Sequence, residues 1–185
     1  MRCKLGMWCA MAAVAWAAPA LAVIDVYLAP ADSYTTVGGT VAVDILADIP
    51  VGEPIVGWGL DLSVDLPVGH VVAGSVVVGP LFDAVPTADG DALAGYVHLD
   101  SLSGNGVLLA TVTLMGDALG DSPLTLGDNN AFPHVAPPAD LTEGFGLDPS
   151  GFADVVYHAG VLHVIPEPAT FALLVLGGLA LARRR

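Results

Sequence analysis

The sequence predicts an all-β domain, a sandwich of about eight strands, set between a secretory leader and a single C-terminal membrane helix. Three observations predict it. Apolar residues recur with a period of two over short stretches, as half-buried strands require. Gly, Pro and Asp clusters separate those stretches at turn spacing. No segment before Ala169 carries the 3.6-residue period of an amphipathic helix. The boundaries expected are 1–22 for the leader, 23–164 for the domain and 165–185 for the tail, with the helix over 169–182.

Val23–Leu28 reads as the first strand, ended by Ala29-Pro30, and Val37-Gly38-Gly39 as a turn. Thr40–Ala47 places Val41, Val43 and Ile45 on one face and Ala42 and Asp44 on the other. Val56–Val64 alternates more clearly. Trp58, Leu60, Leu62 and Val64 share one face, opposite Gly57, Gly59, Asp61 and Ser63. Val71–Val78 is a β-branched strand, and Ala94–Leu99 follows the turn Asp89-Gly90-Asp91. Gly106–Met115 presents Leu108, Ala110, Val112 and Leu114 together, with Thr111 and Thr113 opposite. Ser122–Leu126 is short, and Asp154–Val164 closes the domain. Gly127–Gly151, rich in Pro, Gly and Asp, reads as a long loop with one short strand in it.

The leader has Arg2 and Lys4, an apolar run Met7–Ala18, and a small-x-small cleavage site, Ala20-Leu21-Ala22. Both cysteines, Cys3 and Cys9, fall inside it, so residues 23–164 carry no disulfide and no thiolate metal site. The tail is ordered as Pro166-Glu167-Pro168, an apolar run Ala169–Ala182, and Arg183, Arg184 and Arg185. The two prolines cannot continue a helix upstream. A helix over 169–182 would rise about 21 Å, short of the ~30 Å hydrocarbon core, and terminal arginines extend it by snorkelling. The arginines also favour the cytoplasmic side. The tail resembles the PEP-CTERM sorting tail of Gram-negative bacteria. That resemblance implies export through the secretion machinery, transient anchoring in the inner membrane, and processing by a membrane protease, an exosortase, for delivery to the cell surface or beyond.

Charge narrows the function further. The five Lys and Arg all lie in the leader and the tail, while 18 of the 19 Asp and Glu lie in residues 23–164. The domain has no Lys or Arg to grip phosphate, which excludes nucleic acid as a partner. Nor has it the lysine that an isopeptide crosslink needs. Mutual repulsion of the carboxylates predicts a fold that salt stabilises.

Catalytic patterns are missing: there is no Gly-x-Ser-x-Gly, no His-Glu-x-x-His and no glycine-rich phosphate loop. The domain is therefore expected to be no enzyme and to need no cofactor. His70, His98, His134, His158 and His163 are dispersed, and alternation points His163 to solvent. The candidate calcium ligands are turn carboxylates, Asp89, Asp91, Asp117, Asp121 and Asp128, although aspartate is also a common turn former. Trp58 can stack on a sugar, but its place on an apolar face favours core packing.

The stretch Gly57-Trp58-Gly59-Leu60-Asp61-Leu62-Ser63-Val64-Asp65 resembles an early strand of cohesin-like domains. Gly106–Leu114, Ser122–Leu126 and Gly160–Val164 follow in the same order. The resemblance implies a jelly-roll sandwich of eight to nine strands. It marks no dockerin-binding residues. The expectation is a structural or adhesive component of the envelope or extracellular matrix. The alternative is a module binding carbohydrate, such as exopolysaccharide, or a secreted, dockerin-like protein, with a glycoside-acting enzyme a distant third.

Overall fold

A computed structural model describes residues 23–84, 92–97, 101–127, 144–149 and 152–167, with the isolated tail positions 173, 176 and 183. The leader, with Ala20 and Ala22, lies outside these residues. Two β-sheets face each other across one core. The described residues form thirteen strands, more than the eight or nine expected. The surplus comes from breaks in expected strands and from short strands with little aliphatic signal.

The first strand, β1 (Ile24–Ala29), buries Ile24, Val26 and Leu28. Pro30 offers no N–H to the ladder, and the chain then enters the other sheet as β2 (Asp32–Thr36). Sequence reasoning missed β2 because its core-facing residues are Ser33 and Thr35, not aliphatics. The turn at Gly38, whose φ is 75°, leads into β3 (Thr40–Ile49) with its expected alternation. β4 (Ile55–Val64) carries Trp58, Leu60 and Leu62 into the core, with Val64 packed against it.

The expected strand Val71–Val78 is two strands, β5 (Gly69–Val71) and β6 (Val77–Val78), both paired with the same neighbour. Between them Gly74, at a φ of 72°, makes a turn, and the Ser75 hydroxyl reaches the Thr113 backbone. β7 (Phe82–Ala84) and β8 (Ala92–Val97) extend the second sheet. β9 (Gly104–Gly116) is the long central strand of the first sheet, and β10 (Gly120–Gly127) follows in the second. β11 (Gly144–Leu147) contributes one core side chain, Phe145, fully buried beside Trp58. The expected closing strand is likewise split, into β12 (Val155–Tyr157) and β13 (Gly160–Ile165).

The first sheet runs β12-β1-β3-β9-β5 with β6 also on β9. The second runs β2-β13-β10-β4-β8-β7 with β11 also on β4. The first and last segments of the domain lie side by side and parallel: β1 on β12, then β2 on β13. Both switch sheets at the same level, where Val161 N–H donates to the Ala31 carbonyl. No Cβ fits at Gly160 there, since it would stand 2.5 Å from that oxygen.

The chain enters at one end of the sandwich, where Ile24 pairs with Val155 and Ile49 with Gly104. It leaves at the other, where Ile165 pairs with Thr36 and Val37 bridges to Gly116. That exit end is called the base below. Of the residues expected in the central core, Leu60, Leu62, Val112 and Leu114 are buried there with Trp58, while Val64 is half-buried and packs against it.

Candidate functional site

The geometry offers two functional regions, the exit at the base and the outer face of the second sheet. At the exit, β13 runs to Ile165 and Pro166 follows at once. β13 is an interior strand, hydrogen-bonded to β2 on one side and β10 on the other. Three turns surround the exit. Residues 36–39 are tied by Gly38 N–H to the Gly116 carbonyl, 65–68 by Val68 N–H to Asp65, and 116–119 by Asp117 and Ala118 N–H to Val68. The His70 ring, on β5, pairs at 2.6 Å with Asp117 in the last of these turns.

On the outer face of the second sheet, register aligns three side chains across three strands: Tyr34 on β2, His163 on β13 and Asp121 on β10. The Tyr34 and His163 rings stack with centroids 4.6 Å apart and an interplanar angle of 18°. His163 Nδ1 lies 2.7 Å from Asp121, and Nε2 lies 3.8 Å from Asp32. His163 points outward as alternation predicts, yet only 25% of its side chain is exposed, because Tyr34 covers it. Tyr34 itself is 60% exposed. The other exposed tyrosine of this face, Tyr96 on β8, lies near Gly57. Four strand steps separate the two, roughly 19 Å at ordinary spacing, so they do not form one stacking row.

The outer face of the first sheet is acidic and internally occupied. Asp44 accepts from the Thr111 hydroxyl at 2.6 Å. Asp48 accepts from Gly106 N–H at 2.6 Å and from the Tyr27 hydroxyl at 3.3 Å. Asp25, directly opposite Asp48, lies 2.8 Å from His158. Hydroxyls, backbone N–H groups and histidines do here what Lys and Arg do elsewhere. Partial burial, with Asp48 adding its charge and its hydrogen bond, pushes the Tyr27 phenol above the ordinary tyrosine value.

Residues 164–185 match the family model of the PEP-CTERM protein-sorting motif. This chain carries a PEP-CTERM sorting motif. Among curated proteins, none matches the chain. Solved structures resemble the sandwich. One is a cohesin–dockerin complex from Clostridium thermocellum, at 14% identity and a TM-score of 0.57, covering 81% of this chain and 99% of that one. Another is a non-cellulosomal cohesin from the hyperthermophilic archaeon Archaeoglobus fulgidus, at 15% identity and 0.55, covering 82% and 97%. A third is a cohesin of Acetivibrio cellulolyticus bound to a dockerin, at 18% identity and 0.51, covering 77% and 99%. At such identities the likeness establishes the fold: the domain is a cohesin-like β-sandwich.

The sorting motif thus begins inside the fold, since Val164 and Ile165 belong to β13 as well. Pro166 and Glu167 follow the strand, and Pro168 lies outside the described residues. Arg183 is exposed, while Arg184 and Arg185 lie outside. Leu173 and Leu176, in the expected membrane helix, are 71% and 64% exposed. Among the described residues no helix is long and apolar enough to cross a membrane, and most of 169–182 lies outside them.

Of the candidate calcium ligands, Asp89, Asp91 and Asp128 lie outside the described residues. Asp117 and Asp121 are not brought together on a shared position: each is taken by a different histidine. Asp121 also stands on a strand, not in the turn expected for it. Among the described residues no group of three His, Asp or Glu is arranged to hold a metal ion.

Proposed function

We propose that this chain is exported, held at the inner membrane by its tail and sorted by an exosortase-type protease, and that its sandwich serves outside the cell as a non-catalytic interaction module. The observation that carries the sorting half is the motif's attachment to the last strand of a complete sandwich. Pro166-Glu167-Pro168 is the protease's recognition element, Arg183, Arg184 and Arg185 stop translocation, and Ala20 and Ala22 direct leader removal. Each charge in the arginine cluster costs several kcal/mol at the bilayer centre, so the tail stalls there.

The interaction half rests on the outer face of the second sheet. Tyrosine is enriched at protein interfaces because it supplies a large contact area with few torsions to immobilise. Tyr34, fixed by stacking on His163, is an exposed anchor of that kind. Dockerins occupy cohesins in two of the similar structures, which makes a small secreted protein the leading partner class. The separation of Tyr34 from Tyr96 argues against a flat sugar-stacking row.

The sorting half is tested in the producing organism with Pro166, Glu167 and Pro168 all changed to alanine. The unaltered protein is expected in the medium or at the surface without Arg183–Arg185, and the variant in the inner membrane. Mass spectrometry showing a mature species that still ends at Arg185, with both proteins in the same place, refutes it. For the interaction half, loss of secreted-protein partners on Tyr34→Ala at unchanged melting temperature is the expected result. Retention of every partner refutes the assignment of that face.

A further inference from the structure

We infer that the base of the sandwich is a lipid-contact surface, seated on zwitterionic lipid at the outer face of the membrane while the tail is inserted. The inference rests on the reading that the tail enters the bilayer.

The tail gives the domain almost no slack. Ile165 is the last strand residue and the apolar run starts at Ala169, four residues on. Four extended residues reach about 14 Å, and a polyproline-like Pro-Glu-Pro segment reaches less. The polar layer on each side of the hydrocarbon is itself about 5–7 Å thick. If Ala169 enters the hydrocarbon, Ile165 and the turns around it lie at or just above the headgroups. A domain on a long linker could turn any side to the membrane. This one can turn only its base.

The base carries side chains suited to that position. Val37 is 43% exposed, Leu66 77%, Leu119 57% and Ile165 44%. They come from the three turns and the exit strand, brought together by the Ile165–Thr36 pairing, the Val37–Gly116 bridge and the Val68 carbonyl that ties 116–119 to 65–68. Single exposed aliphatics are ordinary on a protein surface. Four ringing the one point where an apolar tail leaves are arranged as interfacial anchors, which bury apolar groups at the headgroup boundary. Asp65, Asp117 and Glu167 lie beside them with no lysine or arginine, so the surface suits zwitterionic lipid and repels anionic lipid.

The test uses the chain from Val23 to Arg185, which has lost the leader and both cysteines with it, reconstituted into phosphatidylcholine–phosphatidylethanolamine vesicles. Single cysteines at Leu66, Leu119, Val51 or Leu176 carry an environment-sensitive fluorophore. Val51, 84% exposed at the end opposite the base, is the control, and Leu176 reports the tail. The expected result is a blue shift, with quenching by nitroxide-bearing lipid, at 66, 119 and 176 and neither at 51. Quenching at 176 with 66 and 119 in water overturns the inference and leaves the anchored tail standing. No quenching at 176 removes the anchored tail and the inference with it. Shielding of 66 and 119 only when the sorting protease is co-reconstituted makes the base a protein dock and overturns lipid contact.

Discussion

The indole of Trp58 lies over Gly95, its register partner on the neighbouring strand. A Cβ at Gly95 would stand 2.8 Å from Trp58 Nε1 and 2.9 Å from Cε2. The indole meets the Phe82 ring edge-on at 5.8 Å, and the same added Cβ would stand 3.1 Å from Phe82 Cβ. Gly95→Ala therefore drives the ring out of its place. A loss of about 1–3 kcal/mol is expected, the usual cost of overpacking. Chemical denaturation measures it, and an unchanged midpoint contradicts the packing described.

Trp58 Nε1 is buried with no hydrogen-bond partner among the described residues. A buried unsatisfied donor costs free energy, so removing it offsets part of the loss of ring volume. Trp58→Phe is expected to be milder than Leu60→Ala, for which ~2–5 kcal/mol is the ordinary range. Denaturation of both variants in parallel checks the order.

Phe145 is the one core side chain of β11 and is fully buried. If β11 belongs to the sandwich, Phe145→Ala costs about 3–5 kcal/mol. A change below ~1 kcal/mol would mean that β11 is a dispensable flap.

The Tyr27 phenol sits beside Asp48, and its raised pKa sets an alkaline limit. The unfolded chain gives up this proton near pH 10, while the folded chain holds it to higher pH. The stability contributed is complete below about pH 10 and is lost as pH rises through the folded-state value. Melting curves from pH 8 to 11 should fall more steeply for the native chain than for Tyr27→Phe. Parallel curves would show that the phenol is not involved.

Asp25 and Asp48 face each other directly across β1 and β3, an arrangement that like charges oppose. With no Lys or Arg in the domain, added sodium chloride should raise the melting temperature, mostly between ~0.01 and 0.15 M, where screening sharpens. A melting temperature that falls over that range would overturn this.

What the sequence disclosed follows from how each element signals itself. β3 and β4 alternate aliphatic with polar residues, and their inward faces are readable in the sequence. In β9 the expected face holds for Ala110, Val112 and Leu114 but not for Leu108: a register shift beside Ala110 turns Val107 and Leu109 inward and leaves Leu108 half-buried on the other face. β2 turns Ser33 and Thr35 inward, and β11 is Gly-Phe-Gly-Leu, so neither has an aliphatic period to read. The closing strand reads as continuous because both halves are apolar, and only the packing of Gly160 against Ala31 shows the crossing between sheets. Alternation places Asp61 on the face away from Trp58, yet it is 7% exposed, which no local pattern encodes. The sorting motif was legible because it is linear. The Tyr34–His163–Asp121 row was not, because it exists only once β2, β13 and β10 are aligned.

The parallel pairing of β2 with β13 also fixes when the domain can fold. Ser33 is among the first residues of the domain to leave the ribosome or cross a membrane, and its register partner Leu162 is among the last. Contacts so distant in sequence form late and slowly. Until β13 has emerged, β2 and β10 each lack their shared neighbour, and the second sheet has a gap in its middle. The residues that close the gap run directly into the sorting motif, which takes in Val164 and Ile165 of β13. Completion of the fold therefore coincides with the arrival of the address, and a chain cut short within β13 would lose both at once.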